Sequence, residues 1–292
     1  EQAGEQAGEQ AGEQAGEQAG EMIEPPLLEL TSGLFTVTQS WTQETDYARE
    51  VHVHVPTGDT VKPVVILLHG AGGNGRGMLN FQRFITDHIL VAPDGYLNFW
   101  NCGAEASKAP DIDLIRSIID HLKRHRNVDA NNITVLGTSN GSALTNRLLI
   151  ELEDQTFQRA VTVVSPLNNT QFHDEQFYAD PENDNTPTSP VVGRSILNIG
   201  GTVDGAIPYN GGRGVAGYVF LAGEYSAYVW ARHMGYQGEQ LTMGVTHPDY
   251  SQLVSYSYLE GEVIHYKVIG GGHGLAQDPG VRAVIVEFLD AQ

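Results

Sequence analysis

A serine, a histidine and a carboxylate brought together in space would make this chain a nucleophilic catalyst. The segment Gly137-Thr138-Ser139-Asn140-Gly141 sets a serine between two glycines. That is the G-x-S-x-G pattern of a sharp strand-to-helix turn that stands a nucleophile clear of the backbone. A serine hydroxyl attacks well only when a base takes its proton, and the base must titrate near neutrality, which selects histidine. Of eleven histidines, His273 follows the last expected strand, inside Gly270-Gly271-Gly272-His273-Gly274. Glycines there let the loop carry an imidazole up to the serine. Asp204 lies between nucleophile and base in the chain, in a glycine-rich loop that follows the apolar run Ser195 to Ile199. Its carboxylate would fix the imidazole tautomer and stabilise the imidazolium. Asp174, Asp180 and Asp184 sit in a polar stretch without a preceding strand and rank behind it.

Attack on a carbonyl also develops negative charge on oxygen, which needs preorganised N–H donors. One is the backbone N–H of Asn140, next to the nucleophile. The other is expected from His69-Gly70-Ala71-Gly72-Gly73-Asn74, with Ala71 first and Gly72 second. Trp100 and Tyr209 are candidates to stack on a sugar or phenolic ring. His121 and His125 have a zinc-compatible spacing, but no H-E-x-x-H pattern or third ligand accompanies them, so they read as a solvated helix face. Asp180, Glu182 and Asp184 lack the glycine and the later bidentate glutamate of a calcium loop. The P-loop lysine pattern is missing as well. Cys102, the single cysteine, reads as a small buried residue. No metal and no cofactor is expected.

These groups need a scaffold, and the hydrophobic pattern supplies one. Val51 to Val55 alternates like a half-buried strand; Val64 to Leu68, Ile89 to Ala92 and Ile133 to Leu136 are short runs typical of fully buried strands. Leu114, Ile115, Ile118, Ile119 and Leu122 predict a helix capped by Asp111 or Asp113, and Leu144 to Leu152 predict another. Strands near Ala160 to Val164 and Ser195 to Ile199, a helix from Tyr225 to His233 and a strand near Val263 to Ile269 follow. A last helix is capped by Asp278, with Pro279 in its first turn. Alternating strands and helices predict an α/β protein with a doubly wound, mostly parallel sheet and helices on both faces. Active sites in such sheets lie in loops beyond the carboxyl ends of the strands, where all three triad candidates fall.

The first twenty residues are five copies of Glu-Gln-Ala-Gly, and residues 1–25 are read as a low-complexity tail preceding a catalytic domain over 26–292. A glycine every fourth residue and aligned glutamates oppose a helix there. Five of the twenty net negative charges sit in the repeat. The remainder still opposes nucleic acid and anionic membrane surfaces as partners. No apolar run approaches a membrane span, and no export signal is evident at the start. The long polar stretch from Asn168 to Pro190, which holds Phe172, Phe177 and Tyr178, is expected to shape the acyl or alcohol pocket.

From about Leu34 onward the chain resembles the α/β-hydrolase esterases grouped with polyhydroxybutyrate depolymerases and feruloyl and acetyl-xylan esterases. The resemblance rests on Leu67-Leu-His-Gly-Ala-Gly-Gly-Asn74, Ala92-Pro-Asp-Gly95 with Trp100-Asn101, Asp111-Ile-Asp-Leu114 and Val128-Asp129. It continues through Gly201-Thr-Val-Asp204 to Pro208-Tyr209, Gly211-Gly212, Ser226, Trp230 and Gly271-Gly-His273. It implies the α/β-hydrolase fold and a serine esterase that needs no metal or cofactor. It further implies export to an extracellular or periplasmic place, and a short acyl or hydroxycinnamoyl ester, free or linked to polysaccharide, as substrate. A polyester depolymerase and a non-catalytic carbohydrate-binding relative are the alternatives. Three positions depart from the pattern: Ser142 stands where glycine is frequent, Leu275 replaces an aromatic residue after the histidine, and Met234-Gly235-Tyr236 replaces a cysteine-containing stretch.

Overall fold

The computed structural model describes residues 28–58, 60–153, 156–180 and 186–291. The Glu-Gln-Ala-Gly repeat and the expected boundary at residue 25 lie outside them. β1 (Gly33–Trp41) and β2 (Glu44–His54) form an antiparallel hairpin. β3 (Lys62–Leu68) is followed by the single turn α1 (Gly75–Met78) and by β4 (Ile89–Pro93), which runs parallel to β3 and antiparallel to β2. Next come α2 (Asp111–Leu122), β5 (Val128–Thr138), α3 (Asn140–Glu151) and β6 (Arg159–Val163). Part of the polar stretch folds into a small antiparallel sheet of β7 (Phe172–His173), β8 (Gln176–Ala179) and β9 (Thr186–Thr188). β10 (Ser195–Gly201) then returns beside β6, and β11 (Gly212–Arg213) pairs with β12 (Val219–Phe220). After α4 (Gly223–His233), the strands β13 (Val245–Thr246), β14 (Leu253–Tyr258) and β15 (Val263–Val268) complete the main sheet, and α5 (Pro279–Asp290) follows.

Among the described residues, the main sheet has ten strands in the order β1-β2-β4-β3-β5-β6-β10-β15-β14-β13. Its six central strands, β4 to β15 in that order, are all parallel to one another, and antiparallel strands flank them on both sides. Two apolar layers sandwich it. Val64, Ile66 and Leu68 of β3 join residues of α2, α3 and α4 in one cluster, while Val65 and Leu67 join Met78 of α1 and the apolar face of α5 in the other. A strand buried on both faces has no parity reserved for polar residues, which explains why Val64 to Leu68 is an unbroken apolar run. The expected doubly wound sheet with helices on both faces is the one observed.

Three local expectations change. Neither Asp111 nor Asp113 caps α2: its N-cap is Pro110, and the Asp111 carboxylate is buried 2.8 Å from the Arg49 guanidinium. That ion pair ties β2 to the first turn of α2, and Asp111 also accepts the Asn101 N–H at 2.7 Å. The structure also adds β1, β13 and β14, which the apolar pattern did not mark. β2 starts at Glu44 rather than at Val51, because its first half is exposed and carries few apolar residues. Asp278 does cap α5, accepting the N–H groups of Gly280 and Val281.

Candidate active site

β5 ends at Thr138 and α3 begins at Asn140, so Ser139 alone makes the turn. Its φ of 53° is in the left-handed region, a strained conformation for a residue with a side chain. The turn is too tight for side chains at its flanks. A Cβ on Gly137 would fall 2.2 Å from Gly141 O, and one on Gly141 would fall 2.2 Å from Leu68 O. Ser142, the departure from glycine noted above, braces the turn. Its buried hydroxyl lies 2.7 Å from Gly137 O and 2.8 Å from Val163 O, and it accepts the Val163 N–H at 2.9 Å.

Two further strand ends deliver the partners. His273 Nε2 lies 2.9 Å from Ser139 Oγ, and Nδ1 lies 2.8 Å from Asp204 Oδ2. A carboxylate only accepts, so Nδ1 carries the proton and Nε2 is free to accept from the serine hydroxyl. Asp204 follows β10 and His273 follows β15, and these strands are direct neighbours. The second oxygen of Asp204 accepts the N–H groups of Ala206 and Ile207 at 2.8 and 2.9 Å, which fixes the plane of the carboxylate. The Asp204 side chain is buried, whereas the His273 side chain is 38% exposed and faces the cleft.

For the oxyanion, Ala71 lies beside Ser139 in the walls of two cavities, and Asn140 lines one of them. Gly72, the second choice, already spends its N–H on Asn98 O at 2.8 Å. His69 holds this loop in place: Nδ1 lies 2.8 Å from Gly70 O, and Nε2 accepts the Gly95 N–H at 2.9 Å. Both contacts suit a neutral ring, and burial lowers the pKa of His69 accordingly.

The two cavities meet at Ser139. One is a chamber of about 230 Å³ lined by Phe99, Glu105, Ala143, Ile207, Tyr218 and Phe220, together with Val215, Ala216, Ser165, Asn140 and Ala71. The other holds about 500 Å³, is more open, and is lined by His273, Gly274, Ala276, Gln277, Val163 and Val164 among others. Apart from Ala71, Ser139 and Asn140, the chamber residues went unmarked in the sequence. They belong to no motif, and β11 and β12, which bracket Val215 to Tyr218, are too short to show periodicity.

Trp100 and Tyr209 line neither cavity at Ser139. The Trp100 ring is fully buried and donates Nε1–H to His69 O at 2.8 Å, while its backbone N–H is held by the Asn140 side chain at 2.7 Å. The Tyr209 ring is buried, with its hydroxyl 2.8 Å from His265 Nε2 and 3.0 Å from Glu224 Oε1. Both rings brace loops instead. His121 and His125 are not a solvated face either: His121 stacks on Phe35 of β1, and His125 is buried against His121 O. The described part of the polar stretch lines neither cavity at Ser139. It walls a separate space with α4, between Phe172, Phe177, Tyr225 and Arg232. Glu182 and Asp184 fall outside the described residues. Cys102 is buried, and desolvation together with nearby Glu105 pushes its thiol pKa well up, consistent with an inert core residue. Among the described residues, Glu50, His52 and Asp94 bring ligand-type atoms within 4.8 Å of one another on β2 and the end of β4. None of them lines either cavity at Ser139.

No family model matches the chain. NocK of Nocardia uniformis subsp. tsuyamanensis, a candidate esterase, is 25% identical over 160 residues. Those residues are 51% of this chain but 42% of NocK, so the match spans less than half of that relative. Among solved structures, an acetyl xylan esterase from Aspergillus awamori aligns over 88% of this chain and 98% of its own, with a TM-score of 0.60 at 14% identity. A Bacillus cereus carboxylesterase aligns over 83% and 93%, with a TM-score of 0.52 at 16% identity. Thermogutta terrifontis esterase 2 aligns over 88% and 94%, with a TM-score of 0.54 at 13% identity. At such identities the likeness is one of architecture, and that architecture, like the sheet described above, is the α/β-hydrolase fold.

Proposed function

We propose that this protein hydrolyses carboxylic esters through an acyl-enzyme on Ser139. The observation that carries the reading is the unbroken line of contacts from Asp204 Oδ2 through His273 to Ser139 Oγ, at 2.8 and 2.9 Å. Ser139 Oγ attacks the ester carbonyl carbon while its proton passes to His273 Nε2. The N–H groups of Asn140 and Ala71 receive the oxyanion. The bond to the alcohol oxygen then breaks, and His273 gives that oxygen its proton. Water repeats the sequence on the acyl-enzyme: His273 takes a proton from it, the carbonyl–Oγ bond breaks, and Ser139 recovers its hydrogen as the acid leaves.

This mechanism assigns the cavities. The leaving oxygen must face His273 Nε2 to be protonated, so the alcohol occupies the open cavity that His273 lines and the acyl group occupies the 230 Å³ chamber. At roughly 30 Å³ per water-sized unit, that chamber has room for about eight such units. An acetyl group would leave most of it empty, whereas a hydroxycinnamoyl group would fill it; the latter is our preferred acyl class. The likeness to an acetyl xylan esterase and the partial match to a candidate esterase support the reaction class. The test is hydrolysis of 4-nitrophenyl acetate and methyl ferulate by the native protein and Ser139→Ala. Loss of the nucleophile should lower turnover about 10⁶-fold. Retained turnover in a folded Ser139→Ala protein would overturn the assignment.

A further inference from the structure

Among the described residues lining the acyl chamber, Glu105 brings the only carboxylate. It sits beside the oxyanion residue: Oε1 accepts the Asn140 side-chain amide at 3.2 Å, and Oε2 accepts the Cys102 N–H at 2.9 Å. The Tyr218 hydroxyl, which also lines the chamber, lies 3.1 Å from Oε2 and 2.8 Å from Cys102 O. These contacts hold the carboxylate against a mostly apolar wall, in which Phe99, Phe220, Ile207, Val215 and three alanines outnumber Ser139, Asn140, Ser165 and Tyr218. In so apolar a space a fixed charge acts with little screening on whatever enters.

We propose that Glu105 is a specificity-determining residue that confines the chamber to uncharged acyl groups and rejects acyl groups ending in a carboxylate. This rests on the reading of Ser139 as nucleophile and of the chamber as the acyl site. A second carboxylate entering the chamber meets like charge from Glu105 in a space too small to admit a full hydration shell. Neutral acyl groups, aliphatic or aromatic, meet no such opposition. On the other side of Ser139, no aspartate or glutamate is among the described residues lining the cavity assigned to the alcohol. Charge discrimination should therefore be one-sided.

The experiment compares kcat/KM for two matched pairs of esters at pH 7.5 and fixed ionic strength. In the first pair the charge is on the acyl side, monoethyl succinate against ethyl 4-methylpentanoate. In the second it is on the alcohol side, butyryloxyacetate against isobutyl butyrate. The native protein should disfavour the anionic acyl group by about thirtyfold, the order expected of like charges roughly 8 Å apart at an effective dielectric constant of about 20. The penalty on the alcohol side should be several times smaller. Glu105→Gln should bring the acyl-side ratio up by about tenfold or more while leaving the alcohol-side ratio in place. Each ratio is internal to one preparation, so partial misfolding of the variant cancels.

Equal penalties on both sides in the native protein would trace the effect to the net charge of −20 and overturn the proposal, whether or not the variant folds. An acyl-side ratio unmoved in Glu105→Gln would overturn it too. The neutral esters serve as the separate check on the underlying reading: if Ser139→Ala still cleaves them, the site assignment fails first; if it does not, only the role of Glu105 is at stake.

Discussion

The acyl chamber and the open cavity share Ser139, Ala71 and Val215, yet their other walls are held in different ways. On the chamber side, side chains lock to the backbone of neighbouring loops and to one another. The Asn140 amide pairs with the backbone of Trp100 in both directions, Trp100 anchors on His69 O, and Arg147 bonds to both Asn101 O and the Glu151 carboxylate. On the other side the walls are strand ends and a glycine loop, with His273 partly exposed. Val164, which lines that cavity, has a φ of 59°, a costly conformation for a β-branched residue. On the proposed mechanism, shape is specified where the acyl group would go, while the side assigned to the alcohol is built around delivering a base. An enzyme of this kind would be selective for acids and tolerant of alcohols.

Both cavities depend on the base that Asp204 orients. Asp204→Asn should lower kcat about 10⁴-fold for every ester, because an amide stabilises the wrong imidazole tautomer. Loss confined to one acyl class would contradict a shared base. A smaller effect separates the two sides. Ala143→Leu adds bulk to the chamber and should lower kcat/KM for a cinnamate ester relative to an acetate ester by about 10- to 100-fold. Ala276→Leu, across the serine, should change alcohol preference and move that acyl ratio less than about threefold. Similar acyl shifts in both variants would merge the two cavities into one.

The smallest effect concerns the support beneath the Asp204 loop. His265 is buried under Tyr209, and desolvation lowers its pKa to about 4. In the unfolded chain histidine titrates near 6.5. Between those values the unfolded state binds a proton that the folded state refuses. Stability is therefore full above about pH 6.5 and falls as pH drops toward 4, by a total on the order of 3 kcal/mol. Melting curves between pH 7.5 and 4 should show a decline of roughly 5–10 °C, which His265→Asn should flatten. Buried His69 pulls in the same direction. A melting temperature constant over this range would argue against a neutral buried His265.

Much of this was legible in the residues, for identifiable reasons. Val64 to Leu68 and Ile133 to Leu136 are buried on both faces and so appear as apolar runs. Ser139, Asp204 and His273 were found because glycines mark the turns that carry them, and the turn at Ser139 leaves no room for side chains at Gly137 and Gly141. The chamber wall was not legible. Glu105, Ile207, Tyr218 and Phe220 come from irregular loops and a two-residue strand, where neither periodicity nor motif leaves a trace. Trp100 and Tyr209 show a limit of the sequence, because aromatic residues near a site read alike whether they face a ligand or brace a loop. Only the partners of the Trp100 N–H and the Tyr209 hydroxyl decide between the two.

The hydrogen bond between Ser139 and His273 joins residues 134 positions apart, and β15 must dock beside β10 before it can exist. A chain leaving the ribosome exposes its nucleophile long before its base. At about 5–20 residues per second, synthesis alone separates the two by roughly 7 to 27 seconds. Through that interval the serine is an ordinary alcohol, harmless to the esters around it. In refolding from denaturant the same order applies: helical signal should return early, and hydrolysis should wait for the slow, long-range closure of the sheet. Reactivity in this molecule reports on the completed fold.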